Sequence, residues 1–372
     1  MKIVVAPDSF KGNMRSSRVC EIIKQAILLE IPGAEVLTFP MADGGEGTVE
    51  AVVEATGGMF HTLNVCGPLG GTVEAQYGVL PDGTAVMEMA SASGIELVPA
   101  DRLNPMEATT YGTGELVRHL IAEGHTSIVM GIGGSATVDG GTGMAQALGY
   151  RFRDAAGDVI TERGGRILPR LASIDAEHVV DGLEHTKIRV ACDVTNPLTG
   201  PNGAAAVFGP QKGATPEMVG QLDAGLSNLW KTAGTEGAPG DGAAGGLGYG
   251  LRAFCRAEIV SGAHLIAETV GLSEALQGAD LLITGEGRTD GQSLQGKLCP
   301  VLAGMAHRHG ARSLLVSGAL AGELDPFLDV FDFAFSISAG HTSFEACIAH
   351  APQDLAFTVR NTMRILSKSW TG

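Results

Sequence analysis

Five apolar runs of strand length sit at the two ends of this chain, and helical periodicity lies between them. Residues 2–6 (Lys-Ile-Val-Val-Ala) and 36–39 (Val-Leu-Thr-Phe) open the sequence, and 280–284, 313–317 and 331–338 recur near its end. Behind the first run, Val19, Ile22, Ile23, Ala26 and Ile27 follow one another at i, i+3, i+4, i+7 and i+8, a single helical face. Ser16 or Ser17 is placed to cap that helix, and Pro32-Gly33 to end it. Leu355, Val359, Met363 and Leu366 mark a closing helix. Strands alternating with helices call for a parallel sheet, since parallel neighbours need a long crossover. Five strands in a doubly wound sheet commonly take the order 2-1-3-4-5. The first strand then lies beside the third at the point where the winding reverses, and ligands bind beyond the strand ends there.

The middle of the chain reads differently. Residues 61–98 form short strands with turn signals at Gly67-Pro68, Gly70-Gly71 and Pro81-Asp82-Gly83, an antiparallel style. A helix capped by Thr113 and ended at Gly124 follows, then a strand at 127–130 and another at 188–192. The glycine-dense stretch 232–250 reads as loop. The expected organisation is one α/β domain from residues 1–60 plus 262–372, with residues 61–261 inserted as a second α/β domain.

Composition narrows the function classes. With 44% hydrophobic and 18% charged residues the chain can bury a core. A net charge of −16 disfavours nucleic acid as a partner. No apolar run reaches the ~18 residues of a membrane span, and the N-terminal run is too short for a signal sequence. The six cysteines (20, 66, 192, 255, 299 and 347) include no C-x-x-C pair, so a reducing cytoplasm is expected.

The 54 glycines gather in loops after the strand runs, beside acids and cations. Gly131-Ile-Gly133-Gly134-Ser135-Ala136 fits the loose dinucleotide pattern G-x-G-x-x-A, but the acid expected for a ribose falls near Asp154 in a hairpin-like stretch, which disfavours NAD. Its backbone N–H groups and hydroxyls, ahead of a helix at about 141–148, suit an anion such as a phosphate. Gly291 to Lys297 matches G-x-x-x-x-G-K, yet Leu298 stands where a P-loop needs Ser or Thr for Mg²⁺. Asp8, Asp43, Asp193 and Asp290 each follow a strand run, with Lys11 and Arg288 close by in sequence. Acids and cations together supply metal bridging, a base and charge balance, the needs of phosphoryl transfer.

Taken in order, these loops resemble the type-1 glycerate kinase family of bacteria from end to end. The carrying segments are Ala6-Pro-Asp-Ser-Phe-Lys-Gly12, Ala42-Asp-Gly-Gly-Glu-Gly-Thr48, Thr110-Tyr-Gly-Thr-Gly-Glu-Leu116 and Gly131-Ile-Gly-Gly-Ser-Ala-Thr-Val-Asp-Gly-Gly141. They continue with Ala191-Cys-Asp-Val-Thr-Asn-Pro197, Phe208-Gly-Pro-Gln-Lys-Gly-Ala214, Ala244-Gly-Gly-Leu-Gly248, Thr284-Gly-Glu-Gly-Arg-Thr-Asp290 and Gly296-Lys297. Past about residue 320 the likeness thins, and His341-Thr-Ser-Phe-Glu345 carries no role. The resemblance implies a flavodoxin-like domain with an inserted α/β domain, ATP and Mg²⁺ as cofactors, and D-glycerate phosphorylated to 2-phosphoglycerate.

On that reading the catalytic set is Asp193, Lys11, Arg288 and Asp290, with Asp193 as the base. Asp8, Ser9, Gly133, Gly134, Ser135, Thr137 and Lys297 are expected to contact substrate or phosphate, and Asp43, Asp290 and Asp193 to ligate Mg²⁺. Chemistry is expected in a cleft between the two domains of a cytoplasmic monomer or homodimer, with no membrane partner. The competing readings are 3-phosphoglycerate as product, a kinase for another small hydroxy acid, a nucleotide sensor without turnover, and an NAD-dependent dehydrogenase.

Overall fold

A computed structural model describes residues 1–291, 294, 297–340 and 343–370. Gln292, Ser293, Gln295 and Gly296, inside the G-x-x-x-x-G-K match, and His341 and Thr342 of the unmatched segment lie outside the described residues.

The strands in chain order are β1 (Lys2–Val5), β2 (Glu35–Thr38), β3 (Met59–Cys66), β4 (Thr72–Val79), β5 (Ala85–Glu88), β6 (Ser127–Gly131), β7 (Arg151–Arg153), β8 (Ser173–Asp175), β9 (Lys187–Ala191), β10 (Glu258–Val260), β11 (Leu281–Thr284), β12 (Arg312–Ser317) and β13 (Phe333–Ser336). The chain gathers into two compact units. The first holds Met1–Asp43, Glu50–Thr56 and the residues from Ala263 onward; the second holds Gly57–Gly262 and the short stretch Gly44–Val49.

The first unit is a parallel sheet of order β13-β12-β11-β1-β2, which is the 2-1-3-4-5 winding read from the outer runs. Ile3 lies opposite both Leu281 and Val36, so β1 is central and paired on both edges. Strand alternation divides the core. Ile3, Val5, Ile283, Leu314 and Val316 bury one face against Val19, Ile23 and Ile27 of the helix Ser16–Glu30 and Leu355, Val359 and Met363 of the helix Phe344–Trp370. Leu315 turns to the opposite face, where Cys299, Ala303, Phe327 and Phe331 cover it. The expected serine cap is not used: Arg15 is the N-cap residue, and no side chain caps the helix that begins at Ser16.

The second unit is built on a six-stranded sheet of order β10-β9-β6-β5-β4-β3. The hairpin β3–β4 and the pair β4–β5 are antiparallel, as the turn signals in 61–98 predict, while β5, β6, β9 and β10 run parallel. Thr113 is not a cap. It lies inside the helix Tyr111–Ala122, with its hydroxyl 2.9 Å from that of Ser93. The stretch 232–250 is loop only in part. The helix Pro216–Ala233 ends at Gly234, and a second helical segment, Ala243–Cys255, begins with three left-handed residues, Ala244, Gly245 and Gly246.

Candidate active site

In the first unit, the loops after β1 and β11 meet at the reversal of the winding. The Asp8 N–H donates to the Gly285 carbonyl at 2.8 Å, and Gly287 lies against the backbone of Phe10 and Lys11. The β11 loop is held on its other side by β12. Gly318 N–H donates to Glu286 O at 3.0 Å, and the Thr289 and Ser317 hydroxyls bond at 2.9 Å. Asp8 is mostly buried and its carboxyl is pushed up to about 7. Burial is the main cause, followed by the Asp43 charge, with Glu286 adding to it. The Ser9 N–H, donating to Asp8 Oδ1 at 2.6 Å, opposes the rise. The charges of Asp43 and Glu286, in the same unit, therefore both act on Asp8. Lys11 and Arg288 are exposed on the same two loops, and Asp290 and Lys297 follow on the second.

In the second unit, the ends of β5, β6 and β9 carry the loops that matter. Gly44 packs on Ala191 at the end of β9 so closely that an added Cβ would lie 2.6 Å from the Ala191 Cβ. The Gly133 N–H points at Gly44 O at 3.4 Å. Glu88, at the end of β5, accepts from Val49 N–H at 2.8 Å and so serves the helix Thr48–Thr56 at its N-terminus. Burial pushes the Glu88 carboxyl up, and the N–H groups of Val49, Gly47 and Thr48 draw it back. Asp193 is exposed after β9, and its Oδ1 accepts from Gly262 N–H, the first residue of the helix Gly262–Thr269, at 2.9 Å.

The Gly131–Thr137 loop departs from expectation in a definite way. Gly133 and Gly134 reach the surface, but Ser135 and Thr137 do not. Backbone bonds from Ile95 N–H to Gly134 O and from Ala136 N–H to Ser93 O tie the loop down at 2.8 and 3.0 Å. The Ser135 hydroxyl accepts from the Lys212 ammonium, which also donates to Thr137 O at 2.7 Å. Lys212 is 2% exposed, and burial pulls its ammonium down to about 7 against the pull of Asp139. Asp139 itself is fully buried. It accepts from the N–H groups of Thr110, Gly141 and Gly143 at 2.8, 3.0 and 3.3 Å and from the Thr110 hydroxyl. The start of the helix Thr142–Ala147, expected to serve a phosphate, is thus filled by the protein's own carboxylate. Of the two glycines, Gly134 is exposed, and Gly133 is half-buried with its N–H directed at Gly44 O. The Thr137 hydroxyl is buried with no hydrogen-bond partner among the described residues.

Lys212, Asp139 and Glu88 were not among the expected site residues. Lys212 stands in the segment Phe208–Ala214 and Asp139 in Gly131–Gly141, both already carriers of the family resemblance, so their positions were visible and their burial was not. Asp154, the would-be ribose acid, accepts from the N–H groups of Ala156 and Asp158 in its own turn, at 3.0 and 3.1 Å. That leaves the dinucleotide reading without its acid. Among the described residues, no group of three or more His, Cys, Asp and Glu side chains is arranged to hold a metal by itself, and no helix is long and apolar enough to cross a membrane.

The chain matches the model of the glycerate kinase family over residues 3–367. It is 43% identical to a glycerate kinase of Bacillus subtilis (strain 168), over 97% of this chain and 96% of the relative. It is 42% identical to the glycerate 2-kinase of Escherichia coli (strain K12), over 98% and 99% respectively. A crystal structure assigned to a glycerate kinase 2 of Salmonella typhimurium LT2 superposes with a TM-score of 0.90 at 44% identity and covers 100% of both chains.

Proposed function

The chain belongs to the glycerate kinase family, and from that premise we propose that it transfers the γ-phosphoryl group of ATP to D-glycerate, forming 2-phosphoglycerate. The choice of the 2-position follows the E. coli relative, which is named a glycerate 2-kinase. The observation that carries the reading is the meeting of the loops after β1 and β11, which brings the segment of Asp8 and Lys11 against that of Glu286 and Arg288. Mutually repelling carboxylates with cations on the same loops form a place where phosphate and a divalent ion are both favoured.

The roles follow from chemistry. Gly134, with Gly133 beside it, presents backbone to the phosphates. Lys11, Arg288 and Lys297 offset the charge of the glycerate carboxylate and of the phosphoryl group in transfer. Asp193 takes the proton of the acceptor hydroxyl as its oxygen bonds to the γ-phosphorus and the bond to the β-phosphate oxygen breaks, releasing ADP. Asp43 and Asp290, with Asp8, are the candidates to hold Mg²⁺. A donor set this small fits Mg²⁺, which keeps waters and phosphate oxygens in its shell. When bound, the ion neutralises charge on the β- and γ-phosphates. Ser135 and Thr137 hold the loop from below.

The test is NMR of the product formed from D-glycerate and ATP. A phosphate coupled to the C2 proton is expected. A phosphate on C3 would overturn the regiochemistry. Absence of any phosphorylated product would overturn the activity, and a panel of small hydroxy acids would then find the acceptor.

A further inference from the structure

Three parallel strands of the second unit end in one row. Glu88 of β5 stands opposite Gly131 of β6, and Gly131 opposite Ala191 of β9. The stretch Gly44–Val49, which packs with this unit, crosses that row. Its backbone lies so low that an added Cβ at Gly131 would sit 2.6 Å from Gly44 O, and one at Gly133 2.8 Å from Gly45 Cα. At the β9 end of the row Gly44 packs on Ala191. Absent or small side chains on β6 and β9 thus let the crossing chain down onto the sheet. In this row Glu88 carries the long side chain, and it is partly buried at the far end of the crossing.

The crossing runs into the helix Thr48–Thr56. The first N–H groups of a helix have no partner within it, and a Ser, Thr, Asp or Asn just before the first turn ordinarily meets them. Here Gly47 precedes the helix and has no side chain, and the Thr48 hydroxyl turns back to Gly45 O at 2.8 Å. The acceptor comes instead from Glu88, 39 residues from Val49 in sequence, whose Oε1 takes the Val49 N–H at 2.8 Å. The Gly47 and Thr48 N–H groups bond to the same carboxylate. A local cap would steady the helix equally well, but a cap supplied by a strand end also fixes where the helix begins.

Asp43 leads into the other end of the crossing and is exposed. Between the two ends the chain turns at Gly44 and Gly47, with φ of +89° and +85°. Glycine gives such turns no stiffness of its own, so over so short a stretch slack at one end is felt at the other. We propose that Glu88 is a positioning residue: it anchors the start of the helix Thr48–Thr56 to the end of β5 and so holds Asp43 in place for a divalent cation. The proposal rests on the reading of Asp43 as a candidate Mg²⁺ ligand in an ATP-dependent kinase. Glu88 acts through the loop and not as a ligand itself.

The test compares Glu88→Ala, Glu88→Gln and Asp43→Asn in the full chain. The sequence has two tryptophans, so a Trp370→Phe background leaves Trp230 as the single reporter, and its emission in urea shows that each variant is folded. In Glu88→Ala the amides of residues 47–49 exchange with deuterium about tenfold faster or more, while those of β5, β6 and β9 keep their protection. Mn²⁺ binding to the ADP-loaded protein, read from the EPR signal of free Mn²⁺, weakens by about tenfold or more. The KM for D-glycerate stays within about twofold. Glu88→Gln, whose amide oxygen still takes the Val49 N–H, recovers part of both losses. Since Glu88 acts through Asp43, adding Glu88→Ala to Asp43→Asn weakens Mn²⁺ binding no further. Unchanged exchange at 47–49, unchanged Mn²⁺ affinity in Glu88→Ala, or losses that add in the double variant would overturn the proposal. If the wild-type chain formed no phosphorylated product from D-glycerate and ATP, the kinase reading would fall, whereas faster exchange with weaker Mn²⁺ binding would still support the positioning of Asp43.

Discussion

Replacing Gly245 with alanine, and Gly234 likewise as its control, separates backbone strain from collision. Both glycines have φ of +69°, so an alanine carries the same left-handed penalty at each, about 1–2 kcal/mol. They differ in what the new methyl meets. At Gly234, the residue that ends the helix Pro216–Ala233, nothing lies within 4 Å of the added Cβ. At Gly245 the Cβ would lie 1.8 Å from Thr137 O, 2.7 Å from Thr137 C and 2.8 Å from Val138 Cα, all backbone atoms. No rotamer relieves that overlap, so the segment must move by more than an ångström, at about 1–3 kcal/mol beyond the strain. The Thr137 carbonyl that moves is the one accepting from Lys212 at 2.7 Å. Urea unfolding read through Trp230 in the Trp370→Phe background, which follows the second unit, should place Gly245→Ala about 1–3 kcal/mol below Gly234→Ala. Steady-state assays should find kcat reduced in Gly245→Ala and preserved in Gly234→Ala. Equal stabilities within about 1 kcal/mol would refute the claim that residues 244–246 are closed against the loop at Thr137.

Three further outcomes follow from the same site. Asp193→Asn should lower kcat by about a hundredfold or more and flatten the acid limb of the rate profile; near-normal kcat with unchanged pH dependence would remove Asp193 as the base. The folded Lys212 titrates near 7 against an ordinary 10.5, so the unfolded chain binds more protons between those values and stability gains from this residue as pH rises from 7 to 10. Lys212→Met should lose that gain, and a wild-type-minus-mutant unfolding difference that stays flat over the window would refute it; kcat should fall as Ser135 and Thr137 lose their donor. Asp8 has the opposite sign, since its folded value near 7 stands above the ordinary 3.8 and the native state binds the extra proton from pH 4 to 7. Wild type should therefore lose stability relative to Asp8→Asn as pH rises through that window, with activity lost in the mutant; a pH-independent difference in unfolding midpoint would contradict it.

How far the site could be read from the residues depended on whether a property was local. The parallel sheet was legible because each strand run and each helical face repeats its period within a dozen residues; the winding order was the common one for five doubly wound strands, and the place where the ligand loops meet followed from it. Burial of charge is not local. Lys212 and Asp139 look like any loop lysine and loop acid until the fold closes over them; of the hydroxyls expected to face phosphate, that of Ser135 is held inward by Lys212, 77 residues away, and that of Thr137 is buried with no hydrogen-bond partner among the described residues. The same reason explains the stretch taken for loop. Glycine lowers helix propensity, and a run dense in it reads as loop on that ground. In the fold, however, a Cβ at Gly248 would lie 2.3 Å from Gly240 O, and one at Gly250 would lie 2.5 Å from Gly140 O. The helix Ala243–Cys255 carries these glycines because it lies directly on the backbone of two loops, and the stability lost in propensity is regained in contact. Part of the glycine excess therefore builds a scaffold behind the Gly131–Thr137 loop, on which Gly134 is exposed.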